Sequence, residues 1–112
     1  MAYDEELAER IRELIEPGPH LAEKKMFGGL AFLIHGNMAV AASGKGGLLV
    51  RVSREVEDDL LEADFVEIMV MGGREAHGWL RVTSQGLTED TALAQWIAHG
   101  VAYARSLPPK QK

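Results

Sequence analysis

The chain has 112 residues, no cysteine, 46% hydrophobic and 26% charged residues and a net charge of −5, the length of one ordinary domain and the balance of a soluble globular protein. That composition excludes a disulfide framework, a thiolate zinc site and a cysteine nucleophile, and its acidity argues against indiscriminate binding to nucleic acid, which draws affinity from clustered Lys and Arg. The amino end is acidic and amphipathic, unlike a signal peptide, and no stretch approaches the roughly 20 apolar residues that span a bilayer, so a cytoplasmic protein with no membrane contact is expected.

Tyr3, Leu7, Ile11, Leu14 and Ile15 recur at three- and four-residue spacing, which predicts a helix with Asp4 as its cap and Glu5 and Glu6 in its first turn. Pro17 and Gly18 stop it. From Lys24 the pattern changes to short apolar runs between turn residues, which favours strands. The first strand is expected over residues 25–34, followed by a Gly36-Asn37 turn, a second strand over 38–42, a turn in the glycine-rich residues 43–47 and a third strand over 48–52. Connections this short force antiparallel pairing, because a parallel crossover needs a dozen residues or more.

Ser53 is expected to cap a helix over 54–62 with Val56, Leu60 and Leu61 as its apolar stripe. Residues 65–71 and 78–82 read as a strand pair joined by a loop, and Thr88 as the cap of a last helix whose apolar face is Leu93, Trp96, Ile97, Val101 and Ala104. The fold class that follows is α+β, in two layers and in the order α-β(3)-α-β(2)-α, with helices packed on an antiparallel sheet. A single domain over 1–107 is expected, with 108–112 a disordered tail.

The first strand carries apolar groups on both faces: Met26, Leu30, Phe32 and Ile34 on one, Phe27, Ala31 and Leu33 on the other. A strand wetted on one face alternates more cleanly with polar residues. The second face is therefore covered by a helix or by another subunit, and a homodimer is favoured, since large exposed apolar patches are uncommon on monomers.

No catalytic constellation emerges. Gly28-Gly29 and Gly46-Gly47 lack the phosphate-loop spacing and read as strand and turn glycines. His20, His35, His77 and His99 lack any metal-ligand spacing and read as surface or hydrogen-bonded groups. Ser43, Ser53, Ser84 and Ser106 stand in no nucleophile elbow, and acid pairs such as Asp58 with Glu62 and Glu5 with Glu9 are solvated helix faces. Neither a cofactor nor an enzymatic activity is expected, and a small-molecule or enzymatic site beside the paired strands, which needs an apolar pocket with convergent polar groups, is the least favoured reading.

Charge is placed unevenly: residues 24–54 carry Lys24, Lys25, Lys45, Arg51 and Arg54 with no acid, so that segment is +5 and the remainder −10. Two readings stand. The five cations form a contact for an acidic partner or a phosphate backbone, or they sit at strand ends and turns for solubility, the reading favoured by the low worth of surface ion pairs. Trp79 and Arg81 share one face of their strand, opposite Leu80 and Val82, where an aromatic beside an arginine suits an interface and a tryptophan equally suits a cap on the sheet under a helix.

The basic pair Lys24-Lys25, the block Met26-Phe27-Gly28-Gly29 and the following Gly36-x-Met38 hairpin resemble the signature of the N-terminal domain of the TfoX/Sxy family of bacterial competence regulators. The likeness extends more loosely through residues 71–82 and the last helix. It implies a fold similar to type III secretion chaperones and a role in regulating transcription through protein partners. It supplies no catalytic residues. Longer family members carry a second, C-terminal helical domain, where a single domain is expected here, and Ala39 stands where an aromatic often follows Gly-x-Met.

Overall fold

The computed structural model describes residues 5–15, 21–26, 28–44 and 46–108. Helix α1, Glu5–Leu14, buries Leu7, Ala8 and Ile11 and keeps Glu5 and Glu6 in its first turn, where the helix dipole favours them. Its expected cap, Asp4, and its expected stop, Pro17-Gly18, lie outside the described residues. Two ion pairs fasten its polar side: Arg10 to Asp90 at 3.0 Å, and Arg12 in a two-pronged contact with Glu23, both bonds 2.8 Å. The hydrogen bond from Arg12 holds the Glu23 carboxyl below its ordinary range.

Six strands follow where five are expected. The stretch read as one strand over 25–34 is a hairpin, β1 Leu21–Met26 and β2 Gly29–Ile34, with Met26 opposite Gly29. Gly28 takes φ +75°, so the chain reverses there. Gly29 then runs so close to β3, Asn37–Ala42, that a Cβ on it would stand 2.1 Å from the Ala42 carbonyl oxygen. The glycine pair thus provides one turn and one close backbone approach.

The next turn falls one residue earlier than expected. His35 and Gly36 take φ of +52° and +80°, the paired left-handed geometry that tight hairpins prefer, and Asn37 already belongs to β3. β4, Leu48–Arg51, closes the first antiparallel block. Ser53 occupies the N-cap of α2, Arg54–Leu61, without a side-chain capping bond. β5, Val66–Met71, and β6, Arg74–Val82, are joined by a tight turn at Gly72-Gly73, so β6 starts earlier than the expected residue 78. A 3-10 turn, Ser84–Leu87, leads into α3, Asp90–Ser106, whose N-cap is Glu89 and not Thr88. Pro108 is held by the buried Asn37, whose Nδ2 donates to its carbonyl at 2.9 Å; the rest of the expected tail, 109–112, lies outside the described residues.

All pairings are antiparallel and the strand order is β1-β2-β3-β4-β6-β5. The α+β class and the placing of helices on an antiparallel sheet are therefore as expected. Because β4 pairs with β6, the chain leaves the sheet through α2, returns at the far edge as β5, and turns inward. On the inner face Phe32, Val40, Leu48, Val50, Leu80 and Val82 meet Ile11, Leu93, Ile97 and Ala104 in one cluster. The register slips between Phe32 and Leu33, which pair with Val40 and Met38 and leave Ala39 as a bulge. The bulged backbone presses on α3 at Gly100, where a Cβ would stand 2.3 Å from the Ala39 oxygen.

Candidate partner-binding face

The sheet's other face carries a second apolar cluster built wholly from strand residues. Alternation, shifted in β3 by the bulge at Ala39, places Ala31, Met38, Ala41 and Leu49 there, each at most 5% exposed, with Leu33, Met69 and Trp79 packed around them. Small alanines at the centre let the larger neighbours lean over them. Cross-strand partners trace one row across this face, Lys24, Ala31, Ala41, Leu49, Arg81 and Glu67, a basic residue at one edge and an Arg81–Glu67 contact of 4.0 Å at the other.

The expected two-sided first strand is thus confirmed in β2, with Leu30, Phe32 and Ile34 inward and Ala31 and Leu33 outward. Trp79 and Arg81 do share the outer face, opposite the buried Leu80 and Val82. The arginine that meets Trp79, however, is Arg51, its cross-strand partner. The guanidinium carbon of Arg51 lies 5.3 Å from the centre of the Trp79 ring and 5.5 Å from that of Tyr103 on α3. Among the described residues no carboxylate comes within 4.0 Å of it. Ring faces attract a cation and fix its plane, while the N–H fork at its edge stays free for an anionic group.

Among the described residues, Lys24 and Lys25 do not gather round Arg51. Lys24 stands on the outer face but three strands away, about 14 Å at ordinary strand spacing. Lys25 pairs with the inward-facing Leu30 and so occupies the helix side. Arg54 is exposed at the start of α2, and Lys45 lies outside the described residues. Of the family-motif residues, Met26 ends β1, Phe27 is outside the described residues, Gly28 and Gly36 lie in the turns described above, Gly29 opens β2 at its close approach to β3, and Met38 is buried in the outer cluster.

Sequence reasoning missed the residue that positions this face. Glu57, on α2, is only 4% exposed. Its Oε1 accepts the Gly78 amide, and its Oε2 lies 2.9 Å from His77 Nδ1. Burial pushes the carboxyl up, but the Gly78 N–H, the His77 bond and the nearby charges of His77 and Arg54 outweigh it and hold the group below its ordinary 4.5. An ionised carboxylate only accepts, so His77 donates from Nδ1. The Gly78 carbonyl in turn accepts the Val52 amide at 2.9 Å. Glu57 therefore ties α2 to β6 at the residue before Trp79, and Gly78 ties β6 to the residue after Arg51. The available signal was spacing: Glu57 lies three and four residues before Leu60 and Leu61, on the stripe that packs inward.

An antiparallel sheet with helices on one face defines a small α+β domain, in which Trp79 of the other face and Tyr103 of α3 converge on Arg51; these are residue types enriched in binding hot spots. The sequence model of the TfoX N-terminal domain matches residues 13–104, and the chain belongs to that family. Among curated proteins and among solved structures, none matches it.

Proposed function

We propose that this domain is a non-enzymatic regulatory or adaptor module that works through protein contact, with Arg51, Trp79 and Tyr103 at the centre of the contact. The observation that carries this reading is the Arg51 guanidinium, ordered by two rings and unpaired with any carboxylate among the described residues. An arginine already fixed in place has less freedom to lose on binding. Leu33 and Met69 supply apolar area beside it, so the fitting surface presents an acidic side chain within an apolar surround. A second copy of the chain meets that description, since Glu67 stands on the same outer face and an isologous dimer would bring each copy's acid to the other's arginine. Family membership supports a regulatory role of the kind seen in competence control, exercised in the cytoplasm. Lys24 and Lys25 on opposite faces of β1 offer no continuous strip for a phosphate backbone, and a low-salt titration with duplex DNA is expected to show no binding.

The test is light scattering of the purified chain together with affinity capture of its partners, each run with Arg51→Ala in parallel. The expected result is a dimer or a reproducible protein partner, weakened by Arg51→Ala by about 2 kcal/mol, roughly thirtyfold in affinity. A monomer that recovers the same proteins with and without Arg51 overturns the reading.

A further inference from the structure

A second cleft, of about 480 Å³, opens where the end of α2, the turn before β5, the 3-10 turn and the first turns of α3 meet. Its lining includes the aromatic residues Phe65, Trp96 and His99 and the acidic residues Asp59, Asp64 and Glu89; among the described residues no lysine or arginine lines it. Phe65 is 48% exposed, one of the few large apolar side chains left in water. Its backbone takes φ +67°, a region that L-residues with bulky side chains rarely adopt. The Thr83 amide, donating to the Phe65 carbonyl at 2.9 Å, holds it there. Gly86 makes the room, since a Cβ on it would come within 3.0 Å of the Phe65 Cβ. Trp96 and His99 stand 5.7 Å apart, ring centre to ring centre, and tilted by 48°. Among the described residues none of the three carboxylates is in an ion pair.

Aromatic faces attract cations, and unpaired carboxylates at the rim add to that attraction. We infer that this cleft receives an arginine side chain carried on a basic peptide segment of a protein partner. Guanidinium suits it better than ammonium, because a planar cation stacks on rings while its fork reaches the carboxylates. The cleft is open along one side, which suits a side chain delivered by a polypeptide more than a small cation enclosed whole. The inference stands apart from Arg51, whose site calls for the opposite charge.

The experiment follows the two tryptophan indole N–H signals of the intact chain by NMR during titration with an acetylated, amidated tetra-arginine peptide. Tetra-lysine, tetra-glutamate and choline serve as comparisons. The Trp96 signal is expected to shift saturably with tetra-arginine while Trp79 stays still, so this site and the Arg51 face are read separately. Replacing Asp59 and Asp64 by Asn and Glu89 by Gln together, or replacing Phe65 by Asn, is expected to weaken binding about tenfold each. Asn tolerates the left-handed backbone at 65, so Phe65→Asn removes the ring without forcing the turn to refold. The inference is overturned by the absence of a saturable Trp96 shift, by choline binding as tightly as tetra-arginine, or by a peptide affinity that Phe65→Asn leaves unchanged. The last result would mark diffuse attraction to acidic surface.

Discussion

Gly100→Ala is expected to destabilise the domain by about 3 kcal/mol, with a fall in melting temperature of roughly 10 °C or more for a chain of this size. The sign is not obvious from local propensity, since alanine is the better helix former by about 1 kcal/mol. Here the added methyl would stand 2.3 Å from the Ala39 carbonyl oxygen and 2.8 Å from Val40 Cγ1. The oxygen belongs to the bulge and to buried backbone, so it cannot step aside as a flexible side chain would. The helix must lift from the sheet and loosen the packing of Ile97, Val101 and Ala104. Gly28→Ala makes a useful contrast. No atom lies within 4 Å of its added methyl, and only the left-handed backbone is penalised, at about 1–2 kcal/mol. Urea unfolding of both variants checks the order; equal losses would show that α3 does not bear on the bulge as described.

Removing the Glu57 carboxylate has the second largest expected effect, and it reaches the contact face. Glu57→Ala leaves the buried Gly78 amide without its acceptor and frees His77, at about 2–3 kcal/mol. The same carboxylate gives stability a dependence on acid. Its folded value lies below the ordinary 4.5, so between the two values the unfolded chain binds more protons and stability rises with pH. The contribution is fully present above about 4.5 and is lost as pH falls through the folded value. Unfolding curves of the wild type and Glu57→Gln should therefore differ most near neutrality and converge in acid. Parallel curves across that range would mean that Glu57 is not the group responsible. Because Gly78 adjoins Trp79 and bonds to Val52 beside Arg51, Glu57→Ala should also weaken binding at the contact face while leaving its residues in place.

The chain made its layers legible and hid its non-local partners. The short turns between apolar runs gave the antiparallel class, and the helical stripes gave α1 and α3 nearly to their ends. The hairpin at Gly28 was masked because apolar Met26 and Phe27 continue the strand pattern across it, and periodicity carries no record of φ. The same blindness placed Phe65 at the start of a strand, where it is a left-handed residue turned into a cleft. Trp79 was expected either beside an arginine at an interface or capping the sheet under a helix, and it lies on the outer face with an arginine beside it. Which arginine depended on β4 pairing with β6, a contact across 28 positions that no local pattern encodes. Glu57 looked like one more acid on an acidic helix, and its burial and its two bonds distinguish it from the exposed Asp58 and Asp59. Lys24, Lys25 and Arg51 showed the reverse, being close in sequence and set apart by strand and by face.

The central claim is that the domain meets its partner through the ordered guanidinium of Arg51. It is tested most directly by measuring the affinity of the recovered complex, homodimeric or heteromeric, for Arg51→Glu and Lys25→Glu side by side, each first shown to be folded. Both substitutions change the charge equally, but Lys25 lies on the helix side of the edge strand. The account predicts that Arg51→Glu abolishes the complex and that Lys25→Glu leaves it within about threefold of the wild type, as expected for a charge outside the contact. Equal losses for the two, or a complex indifferent to Arg51→Glu, would contradict it.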